Sequence, residues 1–185
     1  MWVDSDYATN VDTRRSRAGF LGYLNKNLVA YNSALQNAQL LTKHHGLKLP
    51  TTVMDDEPLP TMVTVTCIAE YMTMSIVVKE MIWIYILLKT MGINVEKPCI
   101  VYEDNAYNNR AAIKIAENAT STRRSKHIDI RHHFIIREHV DNDTIKVVPV
   151  STTEQRADIM TKLLGKELFT RFRDIITSDI ELDTA

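Results

Sequence analysis

Residues 18–31 read AGFLGYLNKNLVAY, and this stretch decides the first half of the fold. Two apolar runs flank Asn25-Lys26-Asn27, whose composition is typical of a tight turn. The segment before them, Trp2-Val3-Asp4-Ser5-Asp6-Tyr7, alternates apolar and polar side chains as a half-buried strand does. Consecutive strands joined by short connections usually lie side by side in a sheet. We therefore expect an antiparallel meander of three strands.

The rest of the chain alternates between helical and strand patterns. A long apolar helix is predicted from Cys67 to Met91, with Gly92 as its C-terminal stop. Strands are predicted at residues 100–103 and 145–148, and helices at 105–116, 128–139, 152–164 (capped by Thr152) and 166–176. Because strands separated by helices are usually parallel, the sequence predicts an α/β fold with a mixed five-stranded sheet flanked by helices.

Composition narrows the class of protein. The chain has 185 residues, 45% of them hydrophobic and 24% charged, which is typical of a globular domain. Its net charge of −1 excludes a global positive field, so any contact with nucleic acid requires a local basic patch. Cys67 and Cys99 form no CxxC pair, and no secretory signal is visible at the N-terminus. The apolar stretch at residues 72–88 is interrupted by Lys79 and Glu80. We expect an intracellular protein, cytoplasmic or nuclear, with no membrane contact.

Residues 36–61 lack core periodicity and contain three prolines and the acidic run Asp55-Asp56-Glu57. Long irregular connections are uncommon inside compact domains. We therefore interpret this region as an insertion in a domain that covers residues 1–165. Residues 166–185 are then a C-terminal helix and tail.

Four carboxylates occupy positions that a purely structural role explains poorly. They are Asp4 inside the first strand, Glu70 in the first turn of the long helix, Asp104 at the end of the fourth strand, and Asp158 between apolar neighbours. Each has a structural explanation when taken alone, as an edge-strand residue, a helix N-terminal acid or a surface acid. Four acids that converge would repel one another, and divalent cations would offset that repulsion.

Several motifs, in the same order along the chain, resemble the ribonuclease H domain of copia-type LTR retrotransposon polyproteins. The most diagnostic are Lys126-His127-Ile128-Asp129 and Ala157-Asp158-Ile159-Met160-Thr161-Lys162. The others are Asp4-Ser5-Asp6-Tyr7-Ala8, Asp12-Thr13-Arg14-Arg15-Ser16-Arg17-Ala18-Gly19-Phe20, Ala69-Glu70-Tyr71-Met72 and Tyr102-Glu103-Asp104-Asn105. The resemblance covers most of the chain, apart from residues 36–61 and the C-terminal tail.

The resemblance implies a ribonuclease H-like sheet and an endonuclease that cleaves the RNA strand of RNA–DNA hybrids with two Mg²⁺ ions, for which Mn²⁺ is a substitute. The family's catalytic, metal-binding acids fall on Asp4, Glu70, Asp104 and Asp158. Asp4 and Asp104 would hold both ions or bridge them. Glu70 would hold the ion beside the leaving 3′-oxygen, and Asp158 the ion that delivers the attacking hydroxide. The reverse transcriptase domain of a parent polyprotein is an expected partner.

Two neighbouring acids are left out of this set. We expect Asp6 to point to the opposite face of its strand from Asp4, and Glu103 to face away from Asp104.

Two basic clusters are candidate contacts to nucleic-acid phosphates. One contains Arg14 and Arg15, and the other contains Arg123, Arg124, Lys126 and Arg131. Residues 123–137 carry five basic side chains against one acidic side chain, so binding there would depend steeply on salt. The alternative is a solvated loop and helix face.

The sequence also departs from the family pattern. Val65-Thr66-Cys67-Ile68-Ala69-Glu70-Tyr71 stands where the family usually has Ser-Ser-Thr-Glu-Ala-Glu-Tyr, so Ile68 replaces a second Glu. No reverse transcriptase, integrase or protease sequence is present, which favours a polyprotein fragment. The alternative function is therefore a catalytically decayed or co-opted retroelement domain that binds nucleic acid or protein. A transposase or integrase of the same broad fold would place a Glu last, where this chain has Asp158.

Overall fold

The computed structural model describes residues 1–7, 12, 15–36, 62–104, 109–117 and 130–177. Five strands form one sheet: β1 (Trp2–Asp6), β2 (Arg17–Leu24), β3 (Asn27–Leu35), β4 (Cys99–Asp104) and β5 (Ile145–Val150). The helices are α1 (Met62–Thr90), α2 (Asn109–Glu117), α3 (Ile130–Asp141), α4 (Asp158–Thr161) and α5 (Lys166–Thr177). The expected α/β architecture is confirmed.

The strand order is β3-β2-β1-β4-β5, which makes β1 the central strand. β1, β2 and β3 are antiparallel neighbours, whereas β4 is parallel to both β1 and β5. The β2–β3 turn consists of Asn25 and Lys26, which both have positive φ, at 48° and 69°. Two such residues match the right-handed twist of the strands that they connect. The predicted meander is confirmed, but Asp4 is not an edge-strand residue.

The core lies between the sheet and α1. Cys67, Tyr71, Met74, Val78 and Met81 are buried on one side of α1 at helical spacing. They belong to the same buried cluster as Val3, Phe20 and Val101 from three neighbouring strands. This packing fixes the height and rotation of α1 over the middle of the sheet.

Residues Thr66–Thr90 of α1 are long and apolar enough to cross a membrane by length and composition alone. The core helix of an α/β domain meets the same criterion, and the inner side of α1 is such a core face. Its outer side exposes Ile76, Trp83 and Ile86. The C-terminal stop at Gly92 is confirmed, since this residue has φ +78° just after the helix.

The predicted helix at residues 152–164 is wrong. The segment forms a 3₁₀ turn at Thr152–Glu154, and then α4 begins at Asp158 and lasts only one turn. The residue before this turn is Ser151, whose side chain forms no cap, and the hydroxyl of Thr152, the predicted cap, donates to Asp104 instead. The side chain of Gln155 is likewise drawn into the sheet, where it bonds β1. These tertiary hydrogen bonds replace a continuous helix.

Candidate active site

Asp4 points to the side of the sheet that carries α4. Successive side chains of a strand alternate between faces, and Val3 belongs to the core beneath α1. Asp4 is fully buried, with 0% of its surface exposed. Both of its carboxylate oxygens accept hydrogen bonds, one from the last residue of α4 and one from the residue that follows α4. Thr161 Oγ1 donates to Oδ2, and Lys162 Nζ lies 3.0 Å from Oδ1.

Asp158 joins Asp4 through the same ammonium group. Lys162 Nζ lies 2.8 Å from Asp158 Oδ1, so one cation bridges carboxylates that are more than 150 positions apart in the sequence. Burial and the negative charge of Asp4 raise the pKa of Asp158 from 3.8 to about 7. Burial by itself lowers the pKa of Lys162, but the charges of Asp4 and Asp158 outweigh it and leave that pKa raised.

Close packing brings α4 to the sheet. Gly19 is opposite Asp4 in the β1–β2 ladder, and α4 lies directly against it. A Cβ at position 19 would lie 2.6 Å from Thr161 Cγ2 and 2.7 Å from Met160 Cβ. Only glycine leaves room for this approach, which is what puts Asp158 within a lysine's reach of Asp4.

The turn before α4 is anchored to β1. The amide of Gln155, which is fully buried, donates from Nε2 to the Val3 carbonyl at 2.8 Å, one residue before Asp4. The guanidinium of Arg156 lies over the Trp2 ring, 4.7 Å from its centroid, in a cation–π contact. These two contacts fix the start of α4 relative to the strand that carries Asp4.

Asp104 lies at the end of β4, the parallel neighbour of β1. Trp2 and Tyr102 are register partners and their rings stack at 4.5 Å. Two residues further along both strands, this register places Asp104 beside Asp4 and on the same face. Thr152 Oγ1 donates to Asp104 Oδ1 at 2.8 Å, which orients the carboxylate.

Glu70 and Glu103 lie on the α1 side of the sheet. Glu70 is in the third turn of α1, not the first, because the helix begins at Met62. Burial raises the pKa of Glu70 well above its usual value, and the charge of Glu103 raises it further. Burial also raises the pKa of Glu103, and Asp4 and Asp104 add to that shift. Apart from the Glu70 carboxyl, no donor in the described part of the chain bonds the Glu103 oxygens.

Sequence reasoning therefore missed Glu103 as a member of this acidic group. Its omission rested on the correct expectation that Glu103 faces away from Asp104, but the face it occupies is the one that carries Glu70. A usable signal was present, because Glu103 follows the core residue Val101 by two positions and so shares its face.

The expectation for Asp6 was wrong. Residues 4 and 6 of a strand are two apart and share a face. Burial raises the pKa of Asp6, while the charge of Lys162 lowers it and that of Asp4 raises it, as expected of a group close to both. Asp6 is half-buried, whereas Asp4 is fully buried.

The basic residues proposed to contact nucleic acid are described only in part. Arg14, Arg123, Arg124 and Lys126 lie outside the described residues, and of Arg131 only the backbone, in α3, is described. Arg15 Nε donates to the Gln36 carbonyl at 2.6 Å and so holds the end of β3. Gln36 in turn donates to the Ala69 carbonyl at 3.0 Å, which ties that end to α1 beside Glu70. Most of the predicted insertion, residues 37–61, is also outside the described part.

In the described ranges, no three Asp, Glu, His or Cys side chains enclose a position for one metal ion. The acids are instead engaged in pairs: Asp4 with Asp158 through Lys162, and Glu70 with Glu103. His132 and His133 of α3 bond Ser75 and Tyr71 of α1. These two hydrogen bonds tie α3 to α1.

The chain is similar to retrovirus-related Pol polyproteins from plant transposons. It is 30% identical over 175 residues to the one from transposon TNT 1-94 of Nicotiana tabacum, which covers 95% of this chain and 11% of the polyprotein. It is 30% identical to the one from transposon RE1 of Arabidopsis thaliana and 29% identical to that from RE2, over 92% of this chain and 10% of each polyprotein. The chain thus spans about a tenth of the curated relatives it matches.

No family model matches the chain, and no solved structure does. The similarity to these Pol polyproteins lies in one region of each, which makes up 10–11% of its length.

Proposed function

We propose that this region is the ribonuclease H domain of a copia-type polyprotein and that it hydrolyses the RNA strand of RNA–DNA hybrids. One observation carries the proposal. The ammonium nitrogen of Lys162 lies 3.0 Å from Asp4 Oδ1 and 2.8 Å from Asp158 Oδ1. It supports a site where acids from the central strand and from α4 come within reach of one positive charge. The sheet order and the Pol homologues are consistent with it.

The acidic residues fit Mg²⁺ by their chemistry. Their carboxylates offer oxygen ligands, which Mg²⁺ prefers. In phosphoryl-transfer sites, Mg²⁺ is usually bound by one or two carboxylates together with waters and substrate phosphates. A complete cage of protein ligands is therefore not required for such a site. When bound there, such ions would supply activation of a water and stabilisation of the leaving oxygen. Mn²⁺, with the same preference for oxygen ligands, is the proposed substitute.

Each acid has a separate task in the proposed reaction. Asp4 and Asp104 lie on neighbouring strands and share a face, so both would face the scissile phosphate. Asp158 would orient the attacking water from α4, and Glu70 would act from the α1 side, beside the leaving group. A bond forms between the water oxygen and phosphorus, and the bond from phosphorus to the 3′-oxygen breaks. The products are a 3′-hydroxyl and a 5′-phosphate, and no protein nucleophile is needed.

Binding of the hybrid would use basic residues around this acidic site. Arg15 has a structural task at the end of β3, so the proposal places most phosphate contacts on Arg14, Arg123, Arg124, Lys126 and Arg131. The proposed partners are the hybrid and the reverse transcriptase domain of the parent polyprotein.

The test is incubation with an end-labelled RNA–DNA hybrid and Mg²⁺. We expect the parent protein to cut the RNA strand only, and Asp104→Asn to abolish cutting while leaving the free energy of unfolding nearly unchanged. Asp174→Asn is the matched control, because this carboxylate is exposed on α5 and pairs only with neighbouring Arg173 in the described residues. Its activity should equal that of the parent.

The alternative is a decayed or co-opted domain that binds nucleic acid without cutting. The presence of Ile68, two residues before Glu70, where the family pattern has a second Glu, favours it. If the parent retards the hybrid in a gel but leaves the RNA intact with Mg²⁺ and with Mn²⁺, the nuclease proposal fails and this alternative replaces it.

A further inference from the structure

Lys162 occupies the position between Asp4 and Asp158 that a metal ion bound to both would need. Its Nζ lies 3.0 Å from one carboxylate and 2.8 Å from the other. The carboxylates are buried, with 0% and 8% of their side chains exposed, while the lysine side chain remains 32% exposed. The ammonium group therefore neutralises two buried charges from the solvent side.

This arrangement leaves Asp4 without a free oxygen for another cation. Lys162 bonds Oδ1 and Thr161 bonds Oδ2. A divalent ion bound to the same carboxylates would lie within a few ångströms of the ammonium, and like charges at such a distance in a partly buried site repel strongly. The two cations compete for one position.

The lysine is placed so that it can leave without unfolding its helix. Lys162 follows the last residue of α4 and has extended backbone angles, φ −118° and ψ 153°. Its long side chain reaches the acids from outside the helix and is partly exposed to water. A change of the lysine rotamer is enough to free Oδ1 of both carboxylates.

We propose that Lys162 is a built-in counter-ion that holds the Asp4–Asp158 pair together in the metal-free protein, and that a divalent cation binds this pair only by displacing the ammonium group. The inference rests on the metal-binding role proposed for these two acids. Lys162 is thereby a positioning residue that keeps two buried carboxylates close before metal arrives. It also sets a threshold concentration of metal, below which the ammonium group stays bound to the two carboxylates.

The first test compares Mn²⁺ binding by calorimetry in the parent and in Lys162→Met, which keeps the chain length and removes the charge. We expect the variant to bind Mn²⁺ about tenfold more tightly, a change of about 1.4 kcal/mol, because no cation has to be displaced. Without metal it should melt at a lower temperature, since Asp4 and Asp158 then repel. Lys166→Met, at the exposed start of α5, is the control and should bind Mn²⁺ as the parent does.

A lysine with only a structural role would give a different result. Its removal would lower stability and leave Mn²⁺ affinity unchanged or weaker, and either outcome overturns the proposal.

The second test uses the parent protein, so it does not depend on the variant folding. Lysines are acylated with a short pulse of an acetylating ester, and the modification of each is measured by mass spectrometry with and without Mg²⁺. We expect acylation of Lys162 to rise several-fold with Mg²⁺ while that of Lys166 stays constant. Unchanged or reduced acylation of Lys162 would overturn the proposal. If Mg²⁺ exposes Lys162 but the hybrid is not cut, the nuclease proposal fails and this one stands.

Discussion

Gly19 lies beneath Met160, so that a Cβ on the glycine would be 2.7 Å from the Cβ of the methionine. Both contacting atoms are close to rigid backbone, which cannot move aside as the end of a flexible side chain can. Gly19→Ala should therefore push α4 off the sheet and lower the free energy of unfolding by about 1–3 kcal/mol. Because α4 carries Asp158, hybrid cleavage should fall more steeply than stability does.

Gly165→Ala is the matched control for that substitution, since nothing lies within 4 Å of a Cβ at position 165. Chemical denaturation and single-turnover cleavage would be measured on both variants. If the two variants had the same free energy of unfolding and the same cleavage rate, the approach of α4 to the sheet would not be sterically limited at Gly19.

Gln155→Met tests the anchor between the α4 turn and β1. The substitution keeps the volume of the side chain but removes the donor to the buried Val3 carbonyl. A buried acceptor left without its partner costs about 1–3 kcal/mol of unfolding free energy. Glu154→Gln is the neighbouring control, because its exposed ion pair with Arg171 should contribute little to the free energy of unfolding. A Gln155→Met variant as stable as the Glu154→Gln variant would contradict the anchoring role.

Thr152→Val tests the orientation of Asp104. Valine has nearly the shape of threonine but lacks the hydroxyl that donates to Asp104 Oδ1. Removing such a partner of a metal-binding carboxylate typically lowers metal affinity or activity about 10- to 100-fold, and we expect a loss of cleavage in that range. Thr153→Val removes a hydroxyl that, in the described part of the chain, bonds only the Ser151 hydroxyl, and it should leave cleavage unchanged. Cleavage rates that match in the two variants would refute the role of Thr152.

The stability of the metal-free protein should fall as pH rises. Burial and the charge of Asp4 raise the pKa of Asp158 from 3.8 to about 7, so between these values the folded protein holds a proton that the unfolded chain has released. The free energy of unfolding therefore decreases as the pH rises from about 4 to about 7, and it levels off above the folded-state pKa of Asp158. The raised pKa values of Glu70 and Glu103 act in the same direction.

Mg²⁺ should reverse this trend, because a metal stabilises the ionised acids. The difference between the Tm with Mg²⁺ and the Tm with a chelator should widen from pH 5.5 to pH 8, as measured by differential scanning fluorimetry. Asp158→Asn, which cannot ionise, should show a smaller widening. A Tm difference independent of pH in the parent would contradict the assignment of these acids as a metal site.

The sheet was predictable because local patterns and tertiary packing agree there. Alternation in residues 2–7 and the turn at Asn25 specify the meander, and the separating helices specify parallel β4 and β5. The segment after β5 was not predictable from local pattern. Thr152 and Gln155 have the composition of a helix start, yet their side chains bond Asp104 and Val3 instead. Contacts with residues so distant in sequence leave no periodic signal.

The acidic site was predictable in outline only. The resemblance pointed to four acids, and the fold brings them to the middle of β1 and the end of β4, with α1 and α4 beside them. Their arrangement in pairs was not foreseen. It arises because Lys162 and Glu103 add one positive and one negative charge that sequence reasoning did not include.

The central claim is that Asp4 and Asp158 bind a divalent cation in contact with a nucleic-acid phosphate. Anomalous diffraction from crystals grown with Mn²⁺ and an RNA–DNA hybrid, using Asp104→Asn if the parent cuts the hybrid, tests it most directly. The account predicts an anomalous peak between the two carboxylates, with the Lys162 ammonium moved away and a phosphate oxygen among the ligands. Anomalous density elsewhere only, with Lys162 still bridging Asp4 and Asp158 beside bound hybrid, would contradict it.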